Sequence, residues 1–260
     1  VYENQYPIPF VRITKNIVDE DDLKDPIQKE RAMLQGIVLK DVKSNFNIQP
    51  TKNLLSSAKL IENNAKFSKD KKTVKVSEDG GGIVLYLPKE TENEYEDLYI
   101  DLEVYFKDKL QPGDIIVNEV NQHRSGYRHE YARDLEEFMP RIKSSDFVKI
   151  SLPKGEHHLD IRGIYGTDYN ILKQVSKESS THHQFINNGD NMTIKLGYHE
   201  GGYVVIPIPY LDGFSATVDG KPRDVKSANY LMTAIKVKKG EQVIQLSYKP
   251  PYFHLMQIIS

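Results

Sequence analysis

The sequence predicts a mainly β protein: a β-sandwich or jelly-roll-like lobe, a smaller C-terminal antiparallel β unit, and two short helices. Three observations carry this expectation. Phe214, Ala216 and Val218 alternate with polar residues up to Asp219-Gly220, and Ile244, Leu246 and Tyr248 alternate again after Lys238-Lys239-Gly240. That period of two belongs to strands with one face in water. Between Ile37 and Tyr165, several short apolar runs are separated by turn residues, as two packed layers of strands require. Start signals for helices stand out at only two places, Asp25-Pro26 and Asp168.

The elements follow in chain order. Residues 1–36 read as an N-terminal segment and a short helix packing on the β lobe. Asp25 is the N-cap, Pro26 the first helical residue, Gln28 the third, and Gly36 the end, because side-chain oxygens satisfy the free N–H groups of a first turn and Pro lacks one of them. The acids Asp19-Glu20-Asp21-Asp22 belong to helix-start chemistry, and they lack the Asp-x-Asp-x-Asp-Gly spacing of a calcium loop. Residues 37–166 form the sandwich lobe, with strands expected at 74–76, 83–87, 98–106, 115–120, 147–152 and 158–165. Gly80-Gly81-Gly82 reads as a hairpin turn, since no Lys-Ser/Thr or helix start follows it to make a phosphate cradle. The acidic run from Glu90 to Asp97 reads as a solvated loop. Residues 167–182 form a connecting helix with Tyr169, Leu172 and Val175 on one side. Residues 183–260 form the C-terminal β unit. It closes with hairpins and Tyr248-Lys249-Pro250-Pro251, then an apolar end at 252–259 that reads by itself as a plain C-terminal strand or tail, with the first turns of a membrane helix cut short as the alternative that the family resemblance below favours.

Composition narrows the function. The 260 residues include 38% hydrophobic side chains and carry a formal net charge of -2. This is ample for a core and far from the basic balance of a dedicated nucleic-acid binder. Without a single Cys, no disulfide framework, thiolate metal site or Cys nucleophile is available, and the absence leans toward a bacterial surface or cytosolic protein. The chain opens at Val1 with no signal segment, as expected of a processed or excised piece.

Chemistry-bearing patterns are few. His157-His158 and His182-His183 are adjacent pairs, and neighbouring strand residues point to opposite faces, so neither pair offers two rings to one ion. No Gly-x-Ser-x-Gly elbow occurs. No cofactor or metal is expected. The polar stretch 122–133 interleaves three Arg and two His with two Tyr around a hairpin tip. Arg124, Tyr127, Arg128, Tyr131 and Arg133 are the candidate binding residues: guanidinium groups fork to phosphate oxygens and Tyr rings lie against sugar faces, which suits an anionic glycopolymer. The competing expectation is an ion-paired hairpin, since Glu130, Asp134, Glu136 and Glu137 lie close by.

The order of motifs resembles one bacterial family, the YfhO-like integral membrane proteins. The counterparts are Ile208-Pro209-Tyr210, Gly213-Phe214, Val218-Asp219-Gly220-Lys221, Lys239-Gly240 and Tyr248-Lys249-Pro250-Pro251, with Tyr2-Glu3-Asn4-Gln5-Tyr6-Pro7-Ile8-Pro9 and Pro26-Ile27-Gln28-Lys29 at the start. The family usually places Trp where this chain has Phe214, and this chain has no Trp. The resemblance implies an extracytoplasmic domain on the outer face of the cell membrane of a Gram-positive bacterium. It also implies partners: the protein's own transmembrane region and teichoic acid or another anionic glycopolymer, with no nucleic acid. The full-length protein would be a polytopic glycosyltransferase-like enzyme that uses polyprenyl-phosphate-linked sugars to decorate lipoteichoic or wall teichoic acid. Its catalytic acids would lie in loops outside this chain, leaving this part non-catalytic, to position the acceptor or brace the membrane core. The alternative is a self-standing carbohydrate-binding or glycoside-hydrolysing β-sandwich protein.

Overall fold

The computed structural model describes residues 4–108, 111–125, 137–179 and 183–251. Among them the chain forms 22 strands and three α-helices, the mainly β architecture that the alternation predicts. Two compact units result, one of Thr51–Tyr169 and the other of Val1–Pro50 with Asn170–Ser260. The division falls elsewhere than the sequence boundaries at 36, 166 and 182, because the first 50 residues fold with the C-terminal strands.

The unit of residues 51–169 is a β-sandwich. One sheet has the order Val120–Arg124, Gly113–Val117, Phe147–Leu152, Gly81–Tyr86, Lys59–Asn63. The other has the order Glu137–Phe138, Asp97–Phe106, Gly155–Thr167, Thr73–Val76, Ala65–Phe67, with Arg141–Lys143 also on Asp97–Phe106. Ile83, Leu85, Val117, Val148 and Ile150 of the first sheet share one buried cluster with Val74, Leu98, Ile100, Leu102 and Leu159 of the second. Asp97–Phe106 shows why: nearly every second residue is buried, so one face fills the core and the other meets water.

The other unit has three layers. A five-stranded sheet (Gln184–Asn188, Asn191–Lys195, Val243–Tyr248, Phe214–Val218, Lys221–Arg223) faces a four-stranded one (Arg12–Thr14, Gly202–Pro209, Met232–Val237, Val225–Ala228). Ile194, Ile244 and Leu246 pack there on Val204, Ile206 and Ile235. The far side of the four-stranded sheet is also covered, since Tyr203, Val205 and Ala234 cluster with Ile37 and Leu39. Ile37–Leu39 pairs in parallel with Ile17–Asp19, and helix α1 (Pro26–Gln35) adds Ala32 to a cluster with Val18 and Val38.

Local signals come out as expected at several points. Asp25 caps α1 by accepting from the Gln28 N–H at 2.7 Å, and Pro26 opens it. Gly36 ends it in an extended conformation; a Cβ there would lie 2.7 Å from the Asn16 carbonyl oxygen, so close approach, not a left-handed cap, requires Gly. Asp219 and Gly220 both take positive φ in a true hairpin that pairs Val218 with Lys221. Asp168 precedes α3 (Asn170–Glu178).

Other expectations are corrected. Gly80-Gly81-Gly82 does not close a hairpin, because Thr73–Val76 and Gly81–Tyr86 belong to opposite sheets of the sandwich. Lys238-Lys239-Gly240 likewise carries the chain from Met232–Val237 in one sheet to Val243–Tyr248 in the other. The turn residues reverse the chain in both cases without choosing the partner strand. The run from Glu90 to Asp97 is not a plain solvated loop: it holds the four-residue helix α2 (Thr91–Glu94) and ends at buried Asp97. The expected start of a membrane helix, 252–259, lies outside the described residues. Among the described residues no helix is long and apolar enough to cross a membrane.

Candidate functional site

Of the five residues chosen from sequence, Arg124 ends strand Val120–Arg124, at the edge of the five-stranded sheet in the sandwich. Its guanidinium carbon lies 5.3 Å from the centroid of the Phe106 ring, a cation–π distance. Next to it, His123 Nδ1 meets Asp114 Oδ1 at 2.7 Å. Tyr127, Arg128, Tyr131 and Arg133 lie outside the described residues, as do Glu130, Asp134 and Glu136. Glu137 accepts from Arg162 at 3.0 Å.

The paired histidines divide as strand geometry demands. His157 is fully buried against Phe106, with ring centroids 4.6 Å apart, and its Nε2 lies 2.8 Å from the Pro153 carbonyl oxygen. Burial holds its pKa below the ordinary histidine value, and the nearby Arg124 charge pushes the same way. His158 points outward and stacks on Tyr105 at 4.5 Å.

The register of Asp97–Phe106 on Gly155–Thr167 sets Glu103 opposite Asp160 and Tyr105 opposite His158. Ligand-type atoms of Glu103, His158 and Asp160 therefore come within 4.8 Å of one another. Sequence reading missed this trio because it depends on which strands pair. A dication would suit two carboxylates and an imidazole, but the carboxylates already have cationic partners. Arg162 bonds Glu103, and Lys72 Nζ is 2.8 Å from Asp160. The arrangement is an outward-facing ion-pair network.

A second charged cluster lies at the end of the same strand. Asp97, with 5% of its side chain exposed, accepts from Arg141 Nη2 at 2.6 Å, Lys143 Nζ at 3.1 Å and the Tyr169 hydroxyl at 2.5 Å. Burial alone would raise its pKa, but the bonds from Tyr169, Arg141 and Lys143 outweigh burial and hold it below the usual aspartate value. The cluster fastens Arg141–Lys143 and Tyr169 to the sandwich.

The three-layer unit has a cleft of about 570 Å³ lined by Arg12, Asn16, Glu178, His183, Tyr198 and His199 among others. Most of its polar groups serve the fold. Arg12 donates to the Leu34 and Met33 carbonyls at 2.6 and 2.5 Å, capping the last turn of α1. His199 accepts from the Gly201 N–H at Nδ1 and donates from Nε2 to the Glu241 carbonyl. His183 Nδ1 accepts from the Gly197 N–H at 3.0 Å, which places its proton on Nε2. Burial first, and the neighbouring His199 second, keep the His183 pKa low.

Comparison with known proteins agrees with the motif order. The family model described as "Bacterial membrane protein YfhO" matches residues 1–260. A Bacillus subtilis (strain 168) relative, "Uncharacterized protein YfhO", is 30% identical over 265 residues, covering 100% of this chain and 30% of the relative. The chain thus spans less than a third of that relative's length. Among solved structures, the crystal structure of the botulinum neurotoxin serotype D binding domain aligns over 75% of this chain and 93% of its own, with 9% identity and a TM-score of 0.28, too low to carry an argument. With its whole length matched by the family model, this chain belongs to the YfhO family of bacterial membrane proteins.

Proposed function

We infer that the chain is an extracytoplasmic, non-catalytic domain of a polytopic membrane protein. It positions an anionic acceptor polymer, lipoteichoic or wall teichoic acid, for a glycosyltransferase-like membrane core, or braces that core. The observation that carries the reading is the charged outer face of Asp97–Phe106 and Gly155–Thr167. Glu103, His158, Asp160 and Arg162 stand there with Lys72 and Glu137. Such a surface belongs in water, because charges in hydrocarbon are costly unless enclosed. Membership of a membrane-protein family supports reading these sheets as a water-facing part of a lipid-embedded whole. Arg124, ending a strand at the sheet edge, supports contact with phosphate oxygens.

Two measurements test this. Because the chain has no Cys, Lys69→Cys, in an exposed turn, introduces a reporter into full-length protein whose other cysteines are replaced. Intact cells should label it with an impermeant maleimide, and labelling only after lysis overturns the extracytoplasmic placement. Joint charge reversal, Arg124→Glu with Arg128→Glu, should weaken binding of poly(glycerol phosphate); unchanged binding counts against the polymer role.

A further inference from the structure

Three neighbouring strands of the sandwich, Lys59–Asn63, Gly81–Tyr86 and Phe147–Leu152, are in a register that sorts their side chains into rows. Lys59 and Phe147 both lie opposite Tyr86, Ile61 and Lys149 both opposite Val84, and Asn63 and Ser151 both opposite Gly82. Residues directly opposite one another share a face. The alternate residues Ile83, Leu85, Val148 and Ile150 fill the core, so the rows form the outer face of the sheet. That face is unusually apolar for a surface: Tyr86 is 46% exposed, Ile61 42% and Phe147 40%. Exposed apolar residues grouped on one face mark a binding surface more often than isolated ones do.

We propose that this face binds a carbohydrate chain bearing negative charge, with Tyr86 and Phe147 as stacking platforms and Lys59 and Lys149 as anion contacts. The proposal rests on the reading that the chain meets an anionic glycopolymer, and it names a surface for that meeting which the sequence did not single out. Aromatic rings at neighbouring positions on a sheet face can present π faces to the C–H faces of successive sugar rings. Charge complementarity sets the class of sugar chain. None of the nine outward positions in these rows is acidic, and among the described residues neither Lys59 nor Lys149 is in an ion pair. Acids flank these rows: Asp114, on the outer face of Gly113–Val117, meets His123 Nδ1 at 2.7 Å, Asp146 precedes Phe147, and the Glu119 carboxylate accepts the Lys143 backbone N–H at 3.2 Å. A hollow of about 430 Å³ beside Phe147 and Lys149, lined also by Asn118 and Ser145, offers hydrogen-bonding groups next to the rings. Lys59–Asn63 is one edge of this sheet and Val120–Arg124 the other. At the usual strand spacing, five strands span about 19 Å, the length of a few sugar units, and the outer-face row that crosses all five runs Asn63, Gly82, Ser151, Ile116, Asn121.

The test is binding of the 260-residue chain to sugar-substituted poly(glycerol phosphate), to the same polymer without sugars, and to phosphatidylglycerol vesicles. Tyr86→Ala with Phe147→Ala should weaken binding of the sugar-substituted polymer at least tenfold, with little change in melting temperature because both rings are exposed. Lys59→Glu with Lys149→Glu should produce a similar loss and flatten its salt dependence, which keeps the question open to measurement if the aromatic variant folds poorly. If wild type binds and both face variants bind equally well, while Arg124→Glu with Arg128→Glu does not, the face is overturned and the polymer reading stands. No binding of wild type to either polymer overturns both. Binding to vesicles alone, abolished by the face variants, makes this a lipid-docking surface and overturns the carbohydrate assignment.

Discussion

Strand Asp97–Phe106 in the sandwich and strand Gly202–Pro209 in the three-layer unit solve the burial problem differently. Along the first, buried and half-exposed residues alternate, because one face meets water. Along the second, Tyr203, Val204, Val205 and Ile206 are all buried in succession. Val204 and Ile206 face the five-stranded sheet, while Tyr203 and Val205 face Ile37 and Leu39 of the N-terminal layer. A continuous apolar run is what a strand covered on both sides needs, even in an antiparallel sheet. Fifty N-terminal residues turn an ordinary two-layer unit into one whose middle sheet is covered on both sides along Tyr203–Ile206.

Breaking that contrast most directly is Val205→Asp, which buries a charge on the face covered by the N-terminal layer. It should cost about 3 kcal/mol or more and abolish two-state unfolding of that unit. Glu103→Ala on the water face of Asp97–Phe106 should cost at most about 1 kcal/mol. Equal effects in chemical denaturation would erase the distinction between the two strands.

Next in size are the glycines where a strand begins in each unit. Gly82, at φ 157°, and Gly202, at φ 135°, would each place a Cβ against a neighbouring backbone oxygen, 2.0 Å from Ile150 and 2.3 Å from Thr14 respectively. Gly82→Ala and Gly202→Ala should each cost about 1–3 kcal/mol. The first should lower the melting transition of residues 51–169 and the second that of the other unit. A shift in the same transition from both would show that the two units melt together.

Acid should separate the units more finely. The folded-state pKa of Asp97 is lowered. Its contribution is therefore fully present above the unfolded value of about 3.9 and is lost as pH falls below that toward the folded pKa. Asp97→Asn should remove about 1–3 kcal/mol at neutral pH and reduce the acid sensitivity of the sandwich between about pH 4 and its folded pKa. A pH profile identical to wild type refutes the assignment.

The smallest effect comes from two histidines, buried His157 in the sandwich and half-buried His183 in the three-layer unit. Both have depressed pKa values, so each contributes stability above the unfolded value of about 6.5 that is lost as pH falls through its folded pKa. Fluorescence-monitored melts from pH 7 to 5 should show both transitions falling. His157→Phe should flatten that decline in the sandwich alone, and an unchanged slope would remove His157 as its source.

Much of the fold could be read from residue types because the responsible physics is local. Asp25-Pro26 announces α1, Asp219-Gly220 announces a hairpin, and alternating Phe214, Ala216 and Val218 announce a strand. The site was less legible. Arg124 stands out by charge and spacing, but Tyr86 and Phe147 lie 61 positions apart in the chain and become neighbours only through strand pairing. Glu103, His158 and Asp160 were hidden for the same reason. Asp97 looked like one more acid in a solvated run, since nothing in Glu90 to Asp97 reports that Arg141, Lys143 and Tyr169 will converge on it.

By itself the sequence determined the strands, most turns, the helix starts and the family, because alternation, capping and motif order act within a few residues or survive as a linear pattern. Tertiary structure alone decided which sheet each strand joined. Gly80-Gly81-Gly82 and Lys238-Lys239-Gly240 reverse the chain, and a reversed strand with one apolar face is satisfied equally by pairing beside its predecessor or by packing across the core from it. The choice between them is made by the summed burial of all the other strands, which no single turn encodes.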